Sequence, residues 1–523
     1  MGPRLRRALA AVCAASLLAP AAPTARAQNN LPALGDAATE DFGVATERHV
    51  GEQIMREIRR DSAYLDDPLL LEYVQGIFAP LVAESRREGH VTPDIDSRFA
   101  WEAFLVRDRS VNAFALPGGY VGVHLGLLAM TATGDELASV LAHELSHVTQ
   151  RHIARSIANA SRQSMVGLAA LIVGVLAASR SNNADVANAA IVGSQAGMIQ
   201  GQLNFSRDME READRIGFQL LAGAGFSPAG MAAMFEKLDQ AARLNDNGGY
   251  PYLRSHPLTS ERIGEARARL GTTPAKPAPG PDGATFEHAL AQARARVLMD
   301  TRVDALRRWQ SLDLARSDIT AAQKLGDAYS SALASALLRE PARADAALAR
   351  VQTLLADSSR ADARAARWVA MLRSQVLLAR GDAASAAAAM TPLASDTSRP
   401  VQLMNADVAL AGSGNETALR RAAEELQTRV AVHSADATSW ATLGRLWARL
   451  NEPLRALRAE GESVYALGDL RGAVDRLRAG QRAARPGNAS DFIEVSVIDA
   501  RLRDIQAQLR ALMAEQEQQQ NQR

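Results

Sequence analysis

The stretch that decides the reading is Glu136–His152, ELASVLAHELSHVTQRH. Leu137, Val140, Leu141, Leu145 and Val148 recur at helical spacing as one apolar stripe, and Thr133 with Glu136 has the spacing of a capping box. His143 and His147, at i and i+4, therefore share a helix face, with Glu144 one position round. Two imidazoles converging on one point suit zinc, which accepts ring nitrogens and in catalytic sites keeps three protein ligands and a water. Glu144 then stands where it can take a proton from that water.

Two ligands do not close such a site, so the acidic helix NFSRDMEREADRIGFQLL (204–221) becomes the source of a third. Glu210 would complete a His-His-Glu set, and Asp214, one turn on, would accept the second ring N–H of a liganding histidine and fix its tautomer. Taken alone, this helix reads as a solvated face of Glu–Arg pairs; the motif upstream turns the reading toward ligands. His256, in GGYPYLRSHPLTSERI (248–263), precedes Pro257 and lies in a loop before a helix capped near Thr259. It reads either as a removable fourth ligand or as an ordinary loop residue. His152 is five residues past His147, about 140° round a continuous helix, and is expected to face elsewhere. His49, His90, His124, His288 and His433 have no partner at ligand spacing and read as structural or surface residues.

Four stretches in this order, NAFALPGGYVGVHLGLL, ELASVLAHELSHVTQRH, MEREADRIG and RSHPLTSERI, followed by helical repeats, resemble the zinc metallopeptidase family of the periplasmic β-barrel assembly-enhancing proteases. That family also includes the CAAX prenyl endopeptidase and the heat-shock membrane protease. The resemblance implies one zinc ion per chain held by His143, His147 and Glu210, with Glu144 as base and Asp214 in support. It implies that His256 occupies a fourth position in a latent enzyme and leaves for substrate. It further implies that the strand at Gly119, Tyr120 and Val121 is an edge on which an unfolded segment adds, and that the repeats contact the β-barrel assembly machinery. The repeat spacing departs from regularity, which leaves that partner open.

The rest of the chain fits an envelope protein. Arg4, Arg6 and Arg7, an apolar run from Ala8 and a small-residue exit at Ala25–Ala27 have the layout of a cleavable signal peptide over residues 1–27, which directs the protein to the periplasm. An acylated Cys13 is the weaker reading, because little apolar sequence precedes it. Cleavage removes four arginines and no acid, taking the formal charge from +1 to −3, and nothing suggests nucleic acid as a partner. The only cysteine leaves with the leader, so stability comes from packing or metal rather than disulfides.

Length allows roughly two to four domains, and a single large core is not expected. GTTPAKPAPGPDGAT (271–285) cannot hold a helix or central strand and reads as a linker. Before it, residues 28–270 mix helical patterns at about 40–60 and 67–89 with strand-like runs at 98–106, 111–117 and 118–124: an α+β metallopeptidase domain with a small sheet. After it, residues 286–511 are Ala/Leu/Arg-rich and all α. Turn signals near Pro341, Gly381, Gly414, Asn451 and Gly468 are spaced 40, 33, 37 and 17 residues apart. Tetratricopeptide helix pairs repeat every ~34 residues, and Trp440, Leu443, Gly444 and Trp447 fit such a repeat; an Ala-rich bundle is the alternative. Residues 512–523 read as a disordered tail. The apolar run 164–179 is shorter than the ~20 residues a bilayer needs and reads as a buried or membrane-touching helix, a peripheral contact at most.

Two functional classes follow: a zinc endopeptidase acting on unfolded or misassembled outer-membrane proteins, or a chaperone-like scaffold whose repeats deliver clients while the protease stays latent. A metal-stabilised structural domain is a third, disfavoured because structural zinc sites usually close with four Cys/His ligands.

Overall fold

The computed structural model describes residues 43–159, 206–244, 250–271, 285–312, 319–356, 362–485 and 489–521. The leader, the apolar run 164–179 and most of the linker lie outside the described residues.

The first part is built from α1 (Val44–Arg60), β1 (Tyr64–Leu65), α2 (Pro68–Arg87), α3 (Pro93–Arg98), β2 (Glu102–Val106), β3 (Ala113–Leu116), β4 (Tyr120–His124), α4 (Leu125–Met130), α5 (Gly134–Thr149) and α6 (His152–Asn159). Then follow α7 (Arg207–Gly223), α8 (Ala229–Leu244), α9 (Tyr252–Ser255) and α10 (Ser260–Leu270). The helical patterns and three strand runs expected from sequence all appear within this order; β1 is too short to announce itself.

The sheet order is β1-β2-β4-β3, with β4 parallel to β2 and antiparallel to β3. The strand carrying Tyr120 and Val121, with Gly119 at its start, is thus interior rather than an edge, and Tyr120 is 2% exposed. A parallel partner was not foreseeable from alternation alone. β2 reaches β4 from 14 residues upstream and takes the side that a plain hairpin would have left open. Gly118 and Gly119 turn the chain between β3 and β4 with φ of 79° and 89°. A Cβ on Gly119 would also meet that of Phe99 at 2.8 Å, so only glycine fits.

The outer edge next to the helix of the His-Glu motif is β3, which packs against α5. His124 N–H donates to Asn112 O (3.1 Å), which makes Asn112/His124 a hydrogen-bonded pair. Alternation then directs the backbone groups of Val111, Ala113 and Ala115 away from β4.

The second part begins with α11 (Phe286–Leu298), whose N-cap Thr285 accepts the His288 N–H. Further helices follow to Asn521. All five turn signals fall between helices or open one: Gly381, Gly414, Asn451 and Gly468 have positive φ, and Pro341 starts a helix. Gly444 lets helix 437–449 approach helix 453–466 closely, since a Cβ there would lie 3.4 Å from Ala456 O. The tail expected to be disordered is instead a continuation of the last helix, Ala489–Asn521; its Glu and Gln side chains are good helix formers despite their low complexity.

One core does cross the 271–285 boundary, contrary to expectation: a single cluster of buried residues runs from Leu65 to Val401. Its keystone is α11, where Ala289, Ala291, Ala293 and Ala295 are all buried, so small side chains let neighbours pack on every side. Arg294 crosses the seam to Asp67 with two hydrogen bonds of 2.8 and 2.7 Å and also donates to Tyr329 (3.1 Å).

His288 sits in the same seam, its Nε2 3.0 Å from Thr131 O and its Nδ1 2.7 Å from Tyr73 Oη. Burial pushes its pKa down to about 4. Between that value and the ordinary ~6.5 the unfolded chain binds a proton that the folded chain does not, so stability falls on acidification through this window, by up to about 3 kcal/mol. Denaturant unfolding at pH 7 and pH 4.5 should show this loss in the native protein and a smaller one in His288→Gln; equal losses would remove His288 as the cause.

Candidate metal centre

Helix α5 starts at Thr133, whose hydroxyl accepts the Glu136 N–H (3.2 Å). Glu136 returns to the Ala132 N–H (2.6 Å), one residue before the cap, and pairs with Lys237 of α8 (2.5 Å). The helix then runs through the core, with every residue from Glu136 to Thr149 buried. α7 crosses it closely at Gly217, where a Cβ would lie 3.2 Å from the His143 nitrogen. That crossing carries Glu210 and Asp214 to the histidine pair.

The four side chains proposed as metal donors meet. Nε2 of His143 and Nε2 of His147 are 3.0 Å apart. Glu210 lies 3.5 Å from the first through Oε2 and 3.4 Å from the second through Oε1. Nδ1 of His256 is 3.2 Å from His143 Nε2 and 2.9 Å from Glu210 Oε1. Zinc with bonds near 2.0–2.1 Å puts tetrahedral neighbours about 3.3 Å apart, so spacings of 2.9–3.5 Å fit that ion. All four residues are at most 2% exposed. A nitrogen-rich set with a single carboxylate is chemistry that zinc accepts.

Around this set, Asp214 Oδ1 is 2.9 Å from His143 Nδ1. Glu144 is fully buried, and among the described residues neither carboxylate oxygen has a hydrogen-bond partner; Oε1 lies 3.4 Å from His256 Nε2. His256 is thus wedged between the other three donors and Glu144.

Electrostatics follow from burial of this much charge. Burial alone would depress His143, but Asp214 and Glu210 beside it hold its pKa up at about 10. His147 goes the other way, driven well down by burial with the neighbouring His143 and His256 adding repulsion. One positive charge between the two rings satisfies the carboxylates; two would repel. Burial would raise Glu210, yet His256 and His143 hold it far below the carboxylate range. Asp214 is likewise lowered against its own burial, by Arg262 and His143.

Three contributors went unread in the sequence. Arg262 is 5% exposed, donates to Asp214 at 2.7 and 2.9 Å and lies 2.8 Å from Glu210 Oε2. Its Nη1 also donates to Pro257 O (2.9 Å), tying the His256 loop to the acids. His152, expected to face away, instead places Nδ1 2.8 Å from His147 Nδ1. The helix is not continuous: Arg151 adopts φ 52° and breaks it, so that His152 opens α6 with its ring against His147. Glu212 then meets His152 Nε2 at 3.0 Å. A left-handed arginine leaves no compositional signal, whereas Arg262 has a weak one: it lies three residues past the cap at Thr259, in a quoted motif.

Comparison with known proteins places this geometry. Residues 75–270 match the model of Peptidase family M48, so the chain carries a metallopeptidase domain of that family. It is 38% identical over 271 residues to the putative beta-barrel assembly-enhancing protease of Vibrio cholerae, covering 51% of this chain and 53% of that one. It is 34% identical over 262 residues to the beta-barrel assembly-enhancing protease of Escherichia coli K12 (50% and 51%). Similarity extends to the mitochondrial metalloendopeptidase OMA1 of Saccharomyces cerevisiae, 29% over 219 residues (40% and 59%). The chain spans about half the length of the first two of these curated relatives.

Proposed function

We propose that this chain is a zinc-dependent endopeptidase of the periplasm that degrades misassembled outer-membrane proteins and assists their assembly. The observation that carries the reading is the convergence of His143, His147, Glu210 and His256 to within 4.8 Å around one point, beside a buried Glu144. His143, His147 and Glu210 would hold zinc, with His256 as a displaceable fourth donor. Zinc bound there supplies an acidified water and a polarised scissile carbonyl.

The remaining work falls to the chain. Glu144 takes the proton of the attacking water and passes it to the leaving amine. Asp214 accepts the Nδ1–H of His143 and holds its Nε2 toward the site. An extended segment would add along β3, where the outward groups of Ala113 and Ala115 offer an antiparallel ladder beside α5. The helical-repeat half would engage the β-barrel assembly machinery. Among the described residues no helix is long and apolar enough to cross a membrane. Peripheral contact through 164–179 remains part of the proposal.

His256 also favours the second reading, a scaffold with a latent protease. Its Nδ1 lies 2.9 Å from Glu210 Oε1, where it would be the fourth donor, and its Nε2 lies 3.4 Å from Glu144 Oε1, so one ring would block both the water and the base. The same segment reaches the chain just before β3, where the Tyr252 N–H donates to Val111 O at 3.4 Å. Departure of this segment would free metal, base and edge together. His256→Ala should therefore raise proteolysis of an unfolded outer-membrane protein several-fold at unchanged zinc content; no change in rate would make the loop an ordinary loop. The primary test is metal analysis of the full chain together with cleavage of such a protein with and without chelator. Metal-free protein that cleaves at the full rate would end the zinc reading.

A further inference from the structure

Each imidazole of the HExxH pair has a different partner behind it. His143 rests on the carboxylate of Asp214, the arrangement expected from the sequence. His147 rests on a second imidazole, and that one on Glu212. We infer that His152 and Glu212 are positioning residues that fix the tautomer of His147 and thereby set how tightly the centre holds its metal. The inference deepens the metal reading above and rests on His147 being a ligand.

The proton inventory allows one consistent arrangement. His147 directs Nε2 toward His143 and Glu210, so its ring proton sits on Nδ1 and donates to His152 Nδ1 across 2.8 Å. His152 must then carry its own proton on Nε2, which donates to Glu212 Oε2 at 3.0 Å. Moving the His152 proton to Nδ1 would set two N–H groups against each other across the 2.8 Å gap and turn a nitrogen lone pair toward a carboxylate. Glu212 is itself held by Arg155 at 3.1 Å.

The backbone is shaped to deliver this contact. Arg151 takes φ 52°, a conformation a non-glycine residue adopts only when its surroundings impose it. Its guanidinium is fixed by the buried Glu47 of α1 (2.9 Å), which anchors the turn from outside the site. His152 is fully buried as a result. Partners of metal-bound histidines typically change affinity by about 10–100-fold when removed.

Zinc competition against a chromophoric chelator tests this on the full-length protein. His152→Ala should weaken zinc by about 10–100-fold. His152→Asn should recover most of that loss, because its Oδ1 can occupy the place of Nδ1 and accept the His147 proton. The cobalt-loaded protein gives a second readout: the visible absorption bands should shift in the Ala variant and return toward the native spectrum in the Asn variant. Equal affinity and equal spectra in native and Ala proteins would overturn the inference. So would Asn losing as much as Ala at matched circular dichroism, since space rather than an acceptor would then matter. Native protein that binds no zinc at all would instead refute the metal reading itself.

Discussion

Glu144→Gln is expected to cut cleavage of an unfolded outer-membrane protein by about 10²–10⁴-fold, the range for losing a general base, while zinc content and fold stay as they were. Glutamine has the same shape and keeps an oxygen toward the site, but it cannot accept a proton at neutral pH. The site is unusually clean for this test. Glu144 is fully buried, and its carboxylate oxygens lack hydrogen-bond partners among the described residues, so little described structure depends on its charge. His256 Nε2 lies 3.4 Å from its Oε1, and that contact belongs to the resting latch. The measurement is the initial cleavage rate at saturating zinc, with bound metal determined on the same samples. A rate within a few-fold of native would reject the role, and loss of zinc in the variant would mean Glu144 is a ligand rather than a base.

The catalytic half of this site was legible because its information is local. Helical spacing alone places His143 and His147 on one face, and i to i+4 spacing does the same for Glu210 and Asp214; only the meeting of the two helices had to be assumed. Gly217 makes that meeting close, and nothing about a lone glycine says which helix it will touch. Turns in the second half were legible for the same reason, since Gly381, Gly414, Asn451 and Gly468 mark local backbone conformations. What escaped depends on long-range contacts or strain. The interior position of β4 follows from a parallel partner, the position of His152 from a left-handed Arg151, and the continuous core from the buried alanines all round α11. Arg262 escaped because its place three residues past the Thr259 cap is only a weak signal, and an arginine in an Arg-rich helix does not announce burial between two carboxylates.

That arginine carries the other large expected effect. Arg262→Met should destabilise the metal-free protein by about 3–5 kcal/mol, the cost of stripping one partner from a buried charge cluster. Its guanidinium lies between Glu210 and Asp214, which are 2% and 3% exposed, and methionine would fill the space over Phe235 without neutralising either acid. The pH dependence has a definite sign. Asp214 is held below its ordinary value by Arg262 in the folded protein, so it adds stability above the unfolded carboxylate pKa of about 3.9 and loses it as pH falls below that. The native-minus-variant difference in unfolding free energy should therefore be largest near pH 7 and shrink toward pH 3. Zinc should also shrink it, because a divalent ion beside Glu210 replaces part of the lost positive charge. Denaturant unfolding at both pH values, with and without zinc, reads all of this. A difference below about 1 kcal/mol at pH 7, or one that grows in acid, would show that the pair is solvated rather than buried. Arg262 also donates to Pro257 O, so the variant loosens the His256 loop as well as the acids. The two consequences separate by readout: lost anchorage of the loop appears as a change in cleavage rate at matched zinc occupancy, whereas the unbalanced carboxylates appear in the stability of the metal-free protein.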